Sequence, residues 1–173
     1  MNVLKILLQV LGIVALALGV AIATLRWEHR DADGPSILFP GGAFTTGEIY
    51  EGPEPDWSFT DDIPVIELQT DDPLSSRRTF IMESNGRIYV PSGYMRSFLG
   101  RIWKDWAFQA AEGDGYGVLR VNGIRYPRKL IRITSGPELD GVVAKMRQKY
   151  APEMTREAIE AGDVWIFELA PRD

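Results

Sequence analysis

The sequence predicts a mainly β, α+β fold: a small antiparallel barrel with two to three packed helices, preceded by one transmembrane helix. Three observations carry this. The chain opens with an apolar run from Ile6 to Leu25, broken only by Gln9 and Thr24. From Gly47 onward, short apolar or alternating runs are separated by Pro, Gly and Asp clusters, the pattern of β-strands. Strand-like runs come in adjacent pairs, with helical spacing in only a few segments, which favours a barrel with helices on it over a doubly wound parallel sheet.

The apolar run comes first. Its twenty residues reach roughly 30 Å as a helix, the thickness of a bilayer's hydrocarbon core. No polar face interrupts it, so a buried core helix is a poor alternative. Two readings stand: a signal anchor over residues 1–26 that stays in the membrane, or a signal peptide cut after the small residues Ala21 and Ala23. The run is long for a signal peptide and only Lys5 precedes it, which favours a single-pass anchor. Basic residues flank both ends, so the positive-inside rule gives little orientation. An extracytoplasmic domain is expected because N-terminal segments of this kind usually direct export.

Residues 27–46, rich in Asp, Gly and Pro, read as a linker ending in a loop, and 47–173 as one domain. The whole chain carries a net charge of −5; residues 1–26 hold Lys5, Arg26 and no acid, leaving about −7 on the rest. An acidic domain repels phosphate backbones, so nucleic acid is not an expected partner. The sequence contains no cysteine, which excludes disulfides, iron–sulfur clusters and thiol catalysis. Its one histidine, His29, lies in the linker, so a Ser-His-Asp triad and a His-rich zinc site are excluded from the domain.

About six strands are expected. Asn85-Gly86 and Asn122-Gly123 each lie between β-like runs and suit the two positive-φ corners of a type I′ hairpin turn. Pro127 removes a ladder donor and places its strand at an edge or bulge there. One helix is expected over Ser97–Ala110, where Phe98, Leu99, Ile102, Trp103, Trp106, Ala107 and Ala110 recur at helical spacing. A second begins at a capping box, Ser135 to Glu138, buries Leu139, Val142, Val143 and Met146, and stops before Pro152. A short helix over Thr155–Ala161 closes at Gly162, and "DVWIFEL" forms the last strand.

The acidic pairs Asp61/Asp62, Asp71/Asp72 and Glu112/Asp114 sit beside Pro and Gly, where aspartate satisfies turn backbone. "EGDGYG" lacks the spaced oxygens of an EF-hand loop, and neither a Walker loop nor a dinucleotide fingerprint is present. Cations are more informative. Arg77 and Arg78 open "RRTFIM", and across its hairpin "RIYVPSGYMRS" brings Ser92 and Arg96 near a helix N-terminus, a donor set suited to phosphate. Surface charge balance is the plainer reading of these groups. A second set, Arg120, Arg125, Arg128, Lys129 and Arg132, reads as solvated strand faces, with anionic lipid headgroups as a second option.

The order of elements resembles a known group. A strand opening with Arg, the hairpin "ESNGRIYVPSG", the Trp-bearing "FLGRIWKDWA", the hairpin "YGVLRVNGIRYPRKLIRIT" and the helix "PELDGVVAKMRQKY" look like the FMN-binding split barrel of pyridoxamine-phosphate-oxidase-like and deazaflavin-dependent nitroreductase-like proteins. The likeness spans roughly residues 47–169. It implies a flavin- or deazaflavin-dependent oxidoreductase, often a homodimer with cofactor at the subunit interface. By position it assigns the flavin phosphate to Arg78, Thr79, Ser92, Arg96 and Lys104. The family's Ser-x-Lys phosphate signature is replaced here by "SGYMRSFLGR". A second reading is therefore a non-enzymatic barrel domain that has lost the cofactor and serves in binding or assembly at the membrane.

Overall fold

The apolar run forms one helix, α1 (Val3–His29), and none of its residues is buried against the rest of the protein. This computed structural model describes the chain from Val3 to Arg172, without the side chains of Leu99, Arg101 and Ile102. At 27 residues α1 is about 40 Å long. It is long and apolar enough to cross a membrane. His29, expected in a linker, is its last residue.

Eight strands follow: β1 (Glu48–Ile49), β2 (Ile66–Asp71), β3 (Leu74–Thr79), β4 (Met82–Ser84), β5 (Arg87–Ser92), β6 (Tyr116–Val121), β7 (Ile124–Ile133) and β8 (Trp165–Pro171). They form a single curled sheet in the order β3-β2-β6-β7-β8-β5-β4, antiparallel throughout, with the two residues of β1 added in parallel to β7. β3 and β4 lie at opposite edges of this sheet yet are joined by Phe80 and Ile81 alone. That short crossing brings the two edges together and curls the sheet into a half-barrel. The run "RRTFIM", expected as one strand, is divided by this crossing, and this with the brief β1 raises the strand number above six.

Both Asn-Gly turns form as expected. Asn85 and Gly86 have φ of 55° and 76°, and Asn122 and Gly123 have 51° and 77°. Pro127 pairs with Val118 on one side. On the other it falls between the positions of β7 taken by β1 and those taken by β8, so its missing donor costs no ladder bond.

Two cores result. Leu68, Leu119, Phe167 and Leu169 point into the curl and meet Trp57, from a 3-10 helix over Trp57–Asp62, and Trp106. On the outer face of β5 and β8, Tyr89 and Ile166 pack under α4 (Glu138–Lys149) through Leu139, Val142, Val143 and Met146. This explains why β5 is buried at every position after Arg87, with apolar residues on both its faces.

The helices depart from expectation in two places. The segment 97–110 is two helices, α2 (Phe98–Trp103) and α3 (Asp105–Glu112), broken at Lys104 with φ −112° and ψ 21°. The break shifts the helical phase. Trp106, Ala107 and Ala110 stay buried, whereas Phe98 and Trp103 are 78% and 73% exposed. The positions expected for Leu99, Arg101 and Ile102 lie outside the described side chains. The capping box at Ser135 does not form: Pro137, already in helical geometry, takes the cap position of α4 without a side-chain bond. Gly136, at φ 130°, turns the chain so that Ser135 is carried away from the helix end. α5 (Arg156–Glu160) is capped by Thr155 and followed by Gly162 at φ 81°, as expected.

Residues 33–46, expected within a linker, lie against the sheet. Gly41 exchanges two backbone hydrogen bonds with Ser76 on the β3 edge, and the Phe44 amide donates to Gln69 Oε1 at 2.7 Å. Asp33 receives hydrogen bonds from Thr45, Thr46 and Arg120. The arginines read as solvated strand residues hold this strap and the following loop. Arg120 reaches Asp33 at 2.8 Å and Glu67 at 2.6 Å; Arg125 donates to the carbonyls of Phe44 and Gly47; Arg128, 3% exposed, binds Glu54 at 2.9 Å below the Trp57 ring. Alternation along β6 and β7 predicted exposed faces, but the strap and loop cover Arg120, Arg125 and Arg128, whereas Lys129 is exposed and Arg132 lies over the Trp165 ring.

Candidate functional site

Where the β3–β4 crossing passes the turn after β5, the surface opens into a cavity of about 840 Å³. That size lies within the range of small-molecule sites, roughly 300–1,000 Å³. β3 and the crossing contribute Arg78, Thr79 and Phe80. The β5–α2 turn supplies Tyr94, Arg96 and Ser97, and Lys104 stands at the α2–α3 break. Met146, Ala151 and Met154 from α4 and the chain after it form the opposite, mostly apolar wall, with Glu153 among them and Asp163 and Val164 beside it. Ile37, from the strap, reaches its edge.

Each wall is fixed by local chemistry. Tyr94 has φ 62°, a left-handed conformation uncommon for a bulky residue, and this sharp turn directs its ring outward. Its carbonyl accepts from the Ser97 amide and hydroxyl, and Ser97 in turn caps α2 by accepting from Gly100 N at 2.8 Å. A side chain at Gly100 would strike the Tyr94 carbonyl, so glycine is required for that approach. On the far side, Phe80 stacks on Tyr150 with ring centroids 4.4 Å apart. The Tyr150 hydroxyl lies 2.8 Å from the Ile81 carbonyl and 2.9 Å from that of Pro64. Lys149 Nζ donates to the carbonyls of Thr60, Ile63 and Ile81. The end of α4 thus clamps the crossing that carries Phe80.

Of the five residues assigned by resemblance, Arg78, Thr79, Arg96 and Lys104 line this one cavity. Ser92 does not: it is fully buried, and its hydroxyl donates to the sulfur of Met95 at 3.1 Å. Arg96 lies 3.7 Å from Asp163 with both side chains more than half exposed, a weak pair. Among the described residues, neither Arg78 nor Lys104 has a carboxylate within 4.0 Å.

Behind Lys104 stands Arg77. It projects to the inner face of β3, 5.0 Å over the Trp106 ring, and donates to Thr70 Oγ1 and the Ser75 carbonyl, while its buried Nε has no partner. Burial pulls the Arg77 guanidinium down to about 10, partly offset by the charge of Asp105. Lys104 is also lowered, by burial and then by the nearby Arg77 charge. Two desolvated cations side by side disfavour each other, and an anion next to Lys104 relieves both.

The aromatic and apolar walls escaped sequence reasoning. Phe80 read as a strand residue and Met146 as helix core. Only the packing of α4 against the β3–β4 crossing turns them toward one space. The acids singled out in sequence are engaged elsewhere: Asp61 pairs with Lys145, Asp71 with Arg172, and Asp114 accepts from the Tyr116 amide in a turn. No cluster of His, Asp and Glu suited to a metal occurs among the described residues. No protein-family model and no curated protein sequence matches this chain.

Proposed function

We propose that this chain is a single-pass membrane protein, tethered by α1, whose split-barrel domain binds a flavin-like cofactor and serves as an oxidoreductase outside the cytoplasm. One observation carries the reading. Arg78, Arg96 and Lys104, from three separate parts of the chain, meet at a largely apolar cavity walled by two aromatic rings. A phosphate-bearing planar ligand needs that combination of charge and apolar surface. Lys104 and Arg78 would hold the phosphate of FMN or a deazaflavin, with Arg96 at the rim, and Phe80 and Tyr94 offer apolar faces to the ring system. Such a cofactor, when bound, supplies the electron chemistry. The chain's own part is to orient it and to exclude water with the α4 wall.

The competing reading, a barrel domain that has lost its cofactor and acts in binding or assembly, is favoured by Ser92. The hydroxyl assigned to phosphate is turned into the core.

Absorption and fluorescence spectra of the full-length protein in detergent, before and after addition of FMN or a deazaflavin, separate the two. We expect quenched flavin fluorescence and a shifted visible band. Lys104→Ala or Arg78→Ala should weaken binding about 10- to 100-fold, the worth of one charge-assisted hydrogen bond. A colourless protein that leaves the fluorescence of both ligands unchanged rejects the cofactor reading.

A further inference from the structure

The most exposed large apolar residues outside α1 fall on two short segments, each of which sends a residue, Ile37 or Tyr94, to the wall of this cavity. Ile37 and Leu38 are 83% and 75% exposed, and Tyr94 is 80% exposed. Phe98 and Trp103, on the adjoining α2, are exposed to a similar degree. Ile37 and Leu38 occupy the two corners of a tight turn in which Ser36 N donates to the Phe39 carbonyl and Phe39 N to the Ser36 hydroxyl. That turn holds two aliphatic side chains outward with nothing covering them. Ile37 and Tyr94 line the same cavity, which places the turn and the α2 segment on one rim.

Arg78, Arg96 and Lys104 line the cavity beside Glu153 and Asp163, three cations to two acids, so its lining is weakly positive where the domain is acidic. From Gly86 to Lys104 the sequence has no acidic residue, and Arg96 and Lys104 are the cations of that stretch that reach the cavity. The soluble part as a whole is acidic, at about −7. Aromatic and aliphatic side chains interleaved with cations are the composition of surfaces that lie in the headgroup region of an anionic bilayer. The tether brings such a surface within range. Ile37 follows the end of α1 by eight residues, at most about 28 Å of extended chain. The strap contacts at Asp33, Gly41 and Phe44 hold the domain close to that helix end.

We propose that the rim formed by Ile37–Leu38 and Tyr94–Lys104 docks on the surface of an anionic lipid bilayer, so that the cavity opens at the membrane interface. This rests on α1 being retained as an anchor, and is independent of which ligand fills the cavity. Ligand would then enter from the interfacial layer, favouring amphiphiles with an anionic group over freely water-soluble molecules.

The absence of cysteine makes the test direct. Leu38→Cys and Phe98→Cys, with Leu74→Cys at the far end of β3 as reference, each carry one nitroxide label in the full chain. The chain is reconstituted in vesicles of phosphatidylcholine and phosphatidylglycerol. Collision with oxygen, which partitions into lipid, is compared with collision with a water-soluble nickel chelate. The expected oxygen-to-nickel ratio at positions 38 and 98 is roughly threefold or more above that at 74. Equal ratios in vesicle-associated protein overturn the docking while leaving the anchor intact. Protein that does not float with the vesicles overturns both. Labels shielded from both reagents, together with a cross-linked dimer, assign the rim to a second copy of the chain and overturn lipid docking.

Discussion

Tyr94 is a bulky residue held at φ 62° in an exposed turn at the cavity mouth. A left-handed conformation costs an L-residue about 1–2 kcal/mol, which glycine avoids at a smaller entropic cost. Tyr94→Gly is therefore expected to raise stability by about 0.5–1 kcal/mol in urea melts of the detergent-solubilised protein. The same change removes an aromatic wall of the cavity and should weaken flavin binding about fivefold, the worth of one aromatic contact. Opposite signs in the two measurements identify a side chain kept for ligand contact. A loss of stability would mean that the ring packs on the domain and that its conformation carries no strain.

At the scale of elements, the end of α4 carries a connection that no local pattern reveals. Lys149 Nζ bonds three carbonyls, Thr60 and Ile63 at the 3-10 helix and Ile81 in the β3–β4 crossing. Lys149→Met keeps most of the apolar stem and removes the charged donor from all three carbonyls, leaving Ile81 with the Tyr150 hydroxyl and Thr60 with the Ile63 amide. We expect a loss of about 2–3 kcal/mol, the cost of partly buried groups stripped of a charged partner. Amide hydrogen exchange should rise first at the crossing, because it has only two residues between sheet edges. Unchanged melting of Lys149→Met would assign closure of the half-barrel to apolar packing alone. From sequence, Lys149 is one more cation in the last turn of a helix, favourable to the dipole. Its partners are more than sixty residues away, where periodicity has no reach.

For the whole molecule, the decisive feature is the strap from Asp33 to Thr46, which replaces a free linker by a docked segment. Arg120 is its hub, joining Asp33, Glu67 and the Phe44 ring in one cluster with a side chain only 11% exposed. Arg120→Met should cost roughly 2 kcal/mol, between an exposed pair and a buried one. It should also open residues 33–46 to protease in the reconstituted protein. The effect depends on pH in a stated direction. Burial alone would raise the Asp33 carboxyl, but hydrogen bonds from Thr46, Thr45 and Arg120 outweigh it and hold the group well below its ordinary 3.8. A depressed carboxyl stabilises the fold in full above its unfolded value and loses that contribution as the pH falls through the folded one. The stability gap between wild type and Arg120→Met should therefore narrow below about pH 4. A gap constant from neutral pH into that acid range would show that Asp33 contributes nothing to docking.

What the sequence determined by itself rests on local signals. The apolar length of α1, the Asn-Gly corners with their positive φ, and the buried face of α4 are each written within a few neighbouring residues. Arg78, Thr79, Arg96 and Lys104 also line one cavity, because Arg78 and Thr79 end β3 and the turn after β5 carries Arg96. Tertiary structure alone decided the rest. It broke the 97–110 helix at Lys104, turned Ser92 inward and brought Phe80 and Tyr94 to one cavity. It also converted Arg120, Arg125 and Arg128 from surface charges into clamps. The physical reason is that sheet order pairs β5 with β8 and β2 with β6, and the strap covers what the strands leave open. Which face of a strand meets solvent depends on segments remote in sequence, and alternation cannot record what lies across it.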